Sequence, residues 1–164
     1  MSAAWRIGHG FDAHRLMPGL PFILGGVTIP SERGPFGHSD ADVLAHALSD
    51  AILGACALGD LGLHFPDSDA RWEGADSMHL LAACAGMARE RGYALGNVDA
   101  TVVVQAPRIA PHILAIRTSV ASVLRIEIDA VSVKAKTSEG MGYTGDGTGI
   151  AAYAVACLTR SKVP

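Results

Sequence analysis

Aromatic residues make up only 5% of this chain, and its three cysteines, Cys56, Cys84 and Cys157, show no CxxC spacing. A disulfide framework and a cysteine-built metal site are therefore both excluded as organising features. The cysteines sit in Ala- and Leu-rich stretches, which predicts buried free thiols in a reducing compartment. Basic charge is scarce as well: 13 Lys and Arg stand against 16 Asp and Glu, for a net charge of -3, and the cations are scattered. Without a basic field, nucleic acid is not an expected partner. No apolar run approaches the ~20 residues that span a bilayer. The opening MSAAWRIGHG shows no basic segment followed by an apolar one, as a leader would. The expectation is a cytoplasmic protein without a membrane partner.

What the chain does have is apolar content of 49% spread over 164 residues, enough for one domain, 1–164, to bury its own core. Arg6 to Phe11 reads as a strand, and FILGGVTI, Phe22 to Ile29, as two short strands around the turn Gly25-Gly26. Val43, Leu44, Ala47, Leu48, Ala51, Ile52 and Ala55 recur at helical spacing, with Ser39 or Asp40 as the expected N-cap and Asp42, His46 and Asp50 on the other face. A Pro- and Asp-rich stretch from Gly59 to Asp76 is long for a connector and is a candidate lid. Ser77 to Arg91 predicts a second helix closed by Gly92, Asn97 to Gln105 a buried strand, and Pro111 onward a third helix. Val131 to Lys136 and Ile150 to Leu158 are the last expected strands, on either side of a glycine-rich loop. The fold class is α/β (α+β): a two-layer sandwich of a four- to five-stranded mixed sheet with about three helices on one face.

The chemistry concentrates in WRIGHGFDAH and HSDADVLAHALSD. Strand alternation puts Asp12 and His14 on one face, and His46 on the following helix supplies a third ligand. Two imidazoles and a carboxylate suit Zn²⁺ and leave a fourth tetrahedral position for substrate. Asp50 is placed either to hold the His46 ring or to make a plain helix-surface contact. His38-Ser39 precedes a helix, where free amides favour an anion. The loop from Lys136 to Gly149 combines glycines, hydroxyls at Thr137, Ser138, Thr144 and Thr148, and the carboxylate of Glu139, a set that suits a diphosphate with Mg²⁺. Gln105 to Pro111 ends a buried strand with Arg108 in reach of a phosphate. His64, His79 and His112 read as structural or surface residues.

GHGFDAH, ILGGVTIP, HSDADVLAHALSDAILGA, GDLGLHFPDSD, GADS, GNVDATVVVQAPR and VKAKTSEGMGYTG together resemble the 2-C-methyl-D-erythritol 2,4-cyclodiphosphate synthase family, in its order, from Arg6 to about Leu158. The resemblance implies a homotrimer with sites between subunits, in the non-mevalonate isoprenoid route. The reaction it implies converts 4-diphosphocytidyl-2-C-methyl-D-erythritol 2-phosphate into the cyclic diphosphate with release of CMP. It also implies that Asp12, His14 and His46 bind zinc, that Glu139 binds a second divalent ion, Mg²⁺ or Mn²⁺, and that His38 and Thr137 stabilise the transition state. By the same resemblance Ser39, Asp60, Leu61, Gly62, Phe65, Pro66, Asp67, Ser68 and Asp69 surround the methylerythritol and its phosphate. Val104, Gln105, Ala106, Pro107, Arg108, Ile109, Ala110, Lys136 and Ser138 complete the cytidine diphosphate side, and Ala13 and Tyr143 are further substrate-binding positions. Two positions depart from the family pattern: Glu73 stands where relatives often carry Lys, and Asp146 where they often carry Arg. Rival readings of the same residues are a zinc phosphohydrolase and a non-catalytic binder of isoprenoid phosphates.

Overall fold

A computed structural model describes residues 5–161. Residues 1–4, the first four of the ten read above for a leader, lie outside that range, as do residues 162–164. The elements in chain order are β1 (Trp5–Pro18), β2 (Phe22–Leu24), β3 (Val27–Ile29), β4 (Arg33–Phe36), α1 (Val43–Ala55), α2 (Leu61–His64), α3 (Ser77–Glu90), β5 (Tyr93–Val103), α4 (Ile113–Leu124), β6 (Val131–Lys136), α5 (Gly142–Gly145) and β7 (Gly149–Arg160). Five strands form one mixed sheet in the order β4-β1-β7-β5-β6, and β2 and β3 make a separate hairpin. Only β5 and β6 are parallel neighbours, and α4 makes the crossover between them. Among the described residues no helix is long and apolar enough to cross a membrane.

Several boundaries correct the expectations. β1 runs to Pro18, well past Phe11, because β7 pairs with it from Trp5↔Thr159 to Arg15↔Gly149 and β4 pairs with its last turn of pleat. The DxH pair therefore lies inside a strand. β4, with its Gly34-Pro35 core, carries too little apolar alternation to be seen beforehand. β5 begins at Tyr93, four residues early, and absorbs Gly96 as an irregularity in register. The third helix opens with a 3₁₀ turn, Ala110–His112, before α4. The long 59–76 stretch is not structureless: it holds α2 and a 3₁₀ turn at Ala70–Trp72.

The two layers meet most closely at β1 and α1. A Cβ added at Gly8 would lie 1.8 Å from the Ala51 carbonyl oxygen, and one at Gly10 would lie 1.9 Å from that of Ala47. Two strand residues rise about 6.6 Å and four helical residues about 6 Å, so strand and helix stay in step as they run antiparallel. One more step along β1 brings Asp12 under the first turn of α1, where His46 sits. The even-numbered side chains of β7, Ile150, Ala152, Ala154, Ala156 and Leu158, continue this core, joined by Val98, Ala100 and Val102 of β5. On the opposite face Ile7, Phe11, Tyr153 and Val155 are exposed, and the Phe11 and Tyr153 rings lie 5.0 Å apart.

The α1 cap is Asp42, not Ser39 or Asp40. Its Oδ1 accepts the N–H groups of Leu44 (3.2 Å) and Ala45 (3.1 Å), and Oδ2 accepts that of Gly26 (2.8 Å). Asp42 is thus fully buried, tying the hairpin turn to the helix start rather than belonging to a polar stripe. Burial pushes its carboxyl above the ordinary range, against the pull of those amides. All three cysteines are free, but Cys157 is only half-buried because its odd position on β7 faces the open side of the sheet.

Candidate metal centre and substrate cavity

Asp12 and His14 reach the helix-facing side of β1 by strand alternation, and His46 reaches them from the first turn of α1. The carboxylate oxygen Asp12 Oδ2 lies 2.9 Å from His14 Nε2 and 2.9 Å from His46 Nδ1, and the two nitrogens are 3.3 Å apart. All three ligand atoms fall within 4.8 Å of one another, as the sequence had predicted from spacing. Ligands at tetrahedral angles on a zinc ion lie about 3.3 Å apart, so the set fits that metal with adjustments of a few tenths of an ångström. Two nitrogens converging on one carboxylate oxygen leave more lone pairs than protons to share, the condition a cation relieves. Burial works to raise the Asp12 carboxyl, but the hydrogen bonds and charge of His14 and His46 outweigh it and hold the group down to about 2. Burial likewise works to lower His46, and Asp12, with Asp42 and Asp40 behind it, outweighs that and raises the imidazole.

This cluster forms one wall of a cavity of about 330 Å³ that also takes in His38, Ser39, Asp50, Asp60, Leu61, Gly62, Phe65, Asp67, Trp72 and Leu80. Ten of the predicted site residues thus converge here. Pro66, Ser68 and Asp69 lie beside it in the loop, where Asp69 caps the following 3₁₀ turn and pairs with Arg71. Phe65 and Trp72 meet edge to face at 5.0 Å, giving the loop its own small apolar contact. Backbone bonds from Gly74 to the His38 carbonyl (3.0 Å) and from Asp40 to the Ala75 carbonyl (3.2 Å) stitch the base of the loop to the segment before α1.

Asp50 does not hold the His46 ring. Its Oδ1 accepts the Leu61 N–H at 2.7 Å, anchoring α2 to α1, because one helical turn from His46 carries it past the ring toward the loop. Burial raises its carboxyl, the Leu61 amide opposes this, and Asp60 adds to it. The ring's partner is Ser77, whose Oγ lies 2.8 Å from His46 Nε2, with Ser39 Oγ at 3.0 Å. Ser77 in turn contacts Asp40. Neither role was read from the sequence: Ser77 stands 31 residues from His46, and GADS signals only a helix start.

The remaining predicted residues gather elsewhere. Val104, Gln105, Pro107, Arg108, Ile109, Ala110, Lys136 and Thr137 line a second cavity of about 140 Å³ at the ends of β5 and β6, with Ala106 in the same turn. Thr137 Oγ1 donates to Glu139 Oε1 at 2.8 Å, and Glu139 holds a left-handed φ of 53°, an unfavourable backbone state that aims its carboxylate from the loop. Ser138 Oγ bonds the Met141 carbonyl and Thr144 Oγ1, bracing that loop. Ala13, His14 and Tyr143 line a third cavity with Arg15, Arg33 and Thr148, although strand alternation turns the Ala13 side chain to the opposite face from Asp12 and His14. Asp146 accepts both the N–H and hydroxyl of Thr148 in an exposed turn. His64 donates to the Leu58 carbonyl and is structural, as expected. Register places Ala13, Ala151, Val103 and Lys136 in one row across β1-β7-β5-β6, so the metal cluster and the second cavity occupy the same end of the sheet.

The YgbB family model matches residues 5–159. A 2-C-methyl-D-erythritol 2,4-cyclodiphosphate synthase from Trichlorobacter lovleyi is 56% identical over 153 residues, covering 93% of this chain and 98% of that protein. The bifunctional IspDF of Campylobacter jejuni superimposes with a TM-score of 0.93 at 38% identity, over 97% of this chain and 43% of that longer one. A CDP complex of IspF from Plasmodium falciparum superimposes at 0.87 with 31% identity, over 99% of this chain and 100% of that one. The chain thus belongs to the YgbB family, with a 2-C-methyl-D-erythritol 2,4-cyclodiphosphate synthase among its matching relatives.

Proposed function

We propose that this chain converts 4-diphosphocytidyl-2-C-methyl-D-erythritol 2-phosphate into 2-C-methyl-D-erythritol 2,4-cyclodiphosphate and CMP, by attack of the 2-phosphate on the β-phosphorus of the same molecule. The observation that carries the reading is the trio of Asp12, His14 and His46 at the head of a 330 Å³ cavity, in a chain 56% identical to a synthase of that name. Asp12 Oδ2, His14 Nε2 and His46 Nδ1 are the atoms that would hold zinc, which when bound supplies Lewis-acid charge to a phosphate oxygen. The substrate already contains nucleophile and leaving group, so the protein's task is positioning and charge neutralisation. His38 and Ser39 donate toward the phosphates, and Asp60, Leu61 and Gly62 with the Phe65 to Asp69 loop enclose the methylerythritol. Val104 to Ala110 and Lys136 to Glu139 cradle the cytidine diphosphate, with Tyr143 beside them and Arg108 and Lys136 as cations. On substrate binding the Thr137 hydroxyl turns from Glu139 to the phosphate where charge develops. A second divalent ion, Mg²⁺ or Mn²⁺, belongs with Glu139 and the diphosphate.

The proposed assembly is a homotrimer with the site shared between subunits. Two features support it: within one chain the two halves of the site line separate cavities, and the helix-free face of the sheet exposes Ile7 (59%) and Phe11 (45%). The cytoplasm is the proposed compartment, supported by the free thiols. The direct test supplies the cytidine substrate with Zn²⁺ and Mg²⁺. CMP and the cyclic diphosphate should form with no solvent oxygen incorporated, whereas incorporation would identify a hydrolase.

Two further outcomes are expected. Glu139→Gln should raise the Mg²⁺ concentration needed for half-maximal rate by about tenfold while zinc content stays at the wild-type level, since an amide is a poorer ligand for a hard cation. Superimposable Mg²⁺ curves would remove Glu139 from that role. Mixing inactive His46→Ala and inactive Thr137→Ala proteins, with subunit exchange verified by mass, should recover activity, because some sites then draw both intact residues from different chains. No recovery means each site is built within one subunit.

A further inference from the structure

We infer that Ser77 and Asp40 are a positioning pair that decides which nitrogen of His46 faces the metal, an inference that rests on reading Asp12, His14 and His46 as the zinc site. Ser77 is fully buried and lines no part of the substrate cavity. Its hydroxyl donates its single proton to Asp40 Oδ1, and its N–H donates to Asp40 Oδ2 at 3.1 Å. That N–H is available because Ser77 is the first residue of α3, where backbone donors have no intrahelical acceptor. A carboxylate accepts only, so the two bonds from Ser77 settle the direction of the chain.

With its proton committed, Ser77 Oγ turns lone pairs toward His46 Nε2 at 2.8 Å. Ser39 Oγ, 3.0 Å from the same nitrogen, takes the Ala41 N–H and lies 3.3 Å from Ser77 Oγ, whose second lone pair can receive the Ser39 proton. The arrangement is satisfied when Nε2 carries the hydrogen, which leaves the Nδ1 lone pair directed at the position shared with Asp12 and His14. The opposite tautomer sets lone pair against lone pair at Ser77 and a proton where the ligand bond forms. A carboxylate, a hydroxyl and an imidazole in series also strengthen Nδ1 as a ligand, because Asp40 draws the Nε2 proton through Ser77. The pair sits where the segment before α1 meets the start of α3, joined by the bond from Asp40 N–H to the Ala75 carbonyl. Ser77 and Asp40 act through His46 without touching substrate.

The test is zinc affinity, measured by competition with a chromogenic chelator on full-length wild type, Ser77→Ala, Asp40→Asn and Leu81→Val. Leu81 is a buried residue of the same helix with no hydrogen-bonding side chain, so it controls for general loosening. Wild type and Leu81→Val should bind one zinc with equal affinity, and the other two roughly 10- to 100-fold more weakly while circular dichroism stays native. Wild-type affinity in a folded Ser77→Ala or Asp40→Asn protein overturns the inference, as does an equal loss in Leu81→Val. If Ser77→Ala does not fold, the Asp40→Asn titration decides alone. A wild type that binds no zinc is a separate result, which removes the metal reading and the pair with it.

Discussion

His46→Ala is expected to abolish zinc retention and to lower cyclic diphosphate formation by about a thousand-fold or more, which corresponds to ~4 kcal/mol of transition-state stabilisation. The fold should persist. His46 sits at the start of α1, where the cap is Asp42, and the packing of the helix onto β1 runs through Ala47, Leu48, Ala51 and Ile52 instead. Removing one of three ligands leaves Asp12 and His14 as a two-point site, too weak to compete for zinc. Metal analysis, activity and a thermal melt on the same preparation check this. Undiminished zinc in the variant would take His46 out of the metal centre, and a collapsed melt would show the cluster to be structural.

Gly10→Ala is expected to destabilise the protein by about 3 kcal/mol or more, at or beyond the upper end of ordinary overpacking. The added methyl carbon would fall 1.9 Å from the Ala47 carbonyl oxygen and 2.7 Å from the Ala51 nitrogen, both backbone atoms of α1. No rotamer change relieves a clash with backbone, so the helix must lift from the strand. Because the same helix carries His46, the variant should also lose zinc affinity even where it remains folded. Gly54, whose Cβ would meet nothing closer than 3.8 Å, serves as the comparison: Gly54→Ala in the same helix should be stable or slightly better. Denaturant unfolding with a zinc titration reads both effects. Equal stability for the two variants would show that the close approach does not hold the layers in place.

Much of the metal centre was legible beforehand because its residues obey local periodicities. Asp12 and His14 are two apart on a strand, and His46 lies on a helix whose apolar repeat is plain, so alternation and helical pitch alone put the donors on facing surfaces. The three long helices, the glycine hairpin and the presence of the main strands followed from the same patterns. Boundaries were less legible. β1 reaches Pro18 and β4 exists because β7 and β1 offer them partners, and pairing is a property of neighbours that a single stretch of sequence does not encode. The N-cap was misplaced for a similar reason: Ser39, Asp40 and Asp42 all have capping side chains, and only the approach of the Gly26 amide favours burying Asp42.

By itself, then, the sequence determined the chemistry of this protein: which residue types could bind zinc and phosphates, and that they belong to an α/β fold. The tertiary structure decided what orients them. Ser77 meets His46 across 31 residues of chain and Asp40 across 37, Asp50 turns to Leu61 instead of the imidazole, and the residues from Val104 to Ala110 line a cavity apart from the Asp12, His14 and His46 cluster. Hydrogen-bond direction and cavity shape depend on distances of a few tenths of an ångström between segments distant in the chain, and those distances are set by how the layers pack rather than by any local pattern.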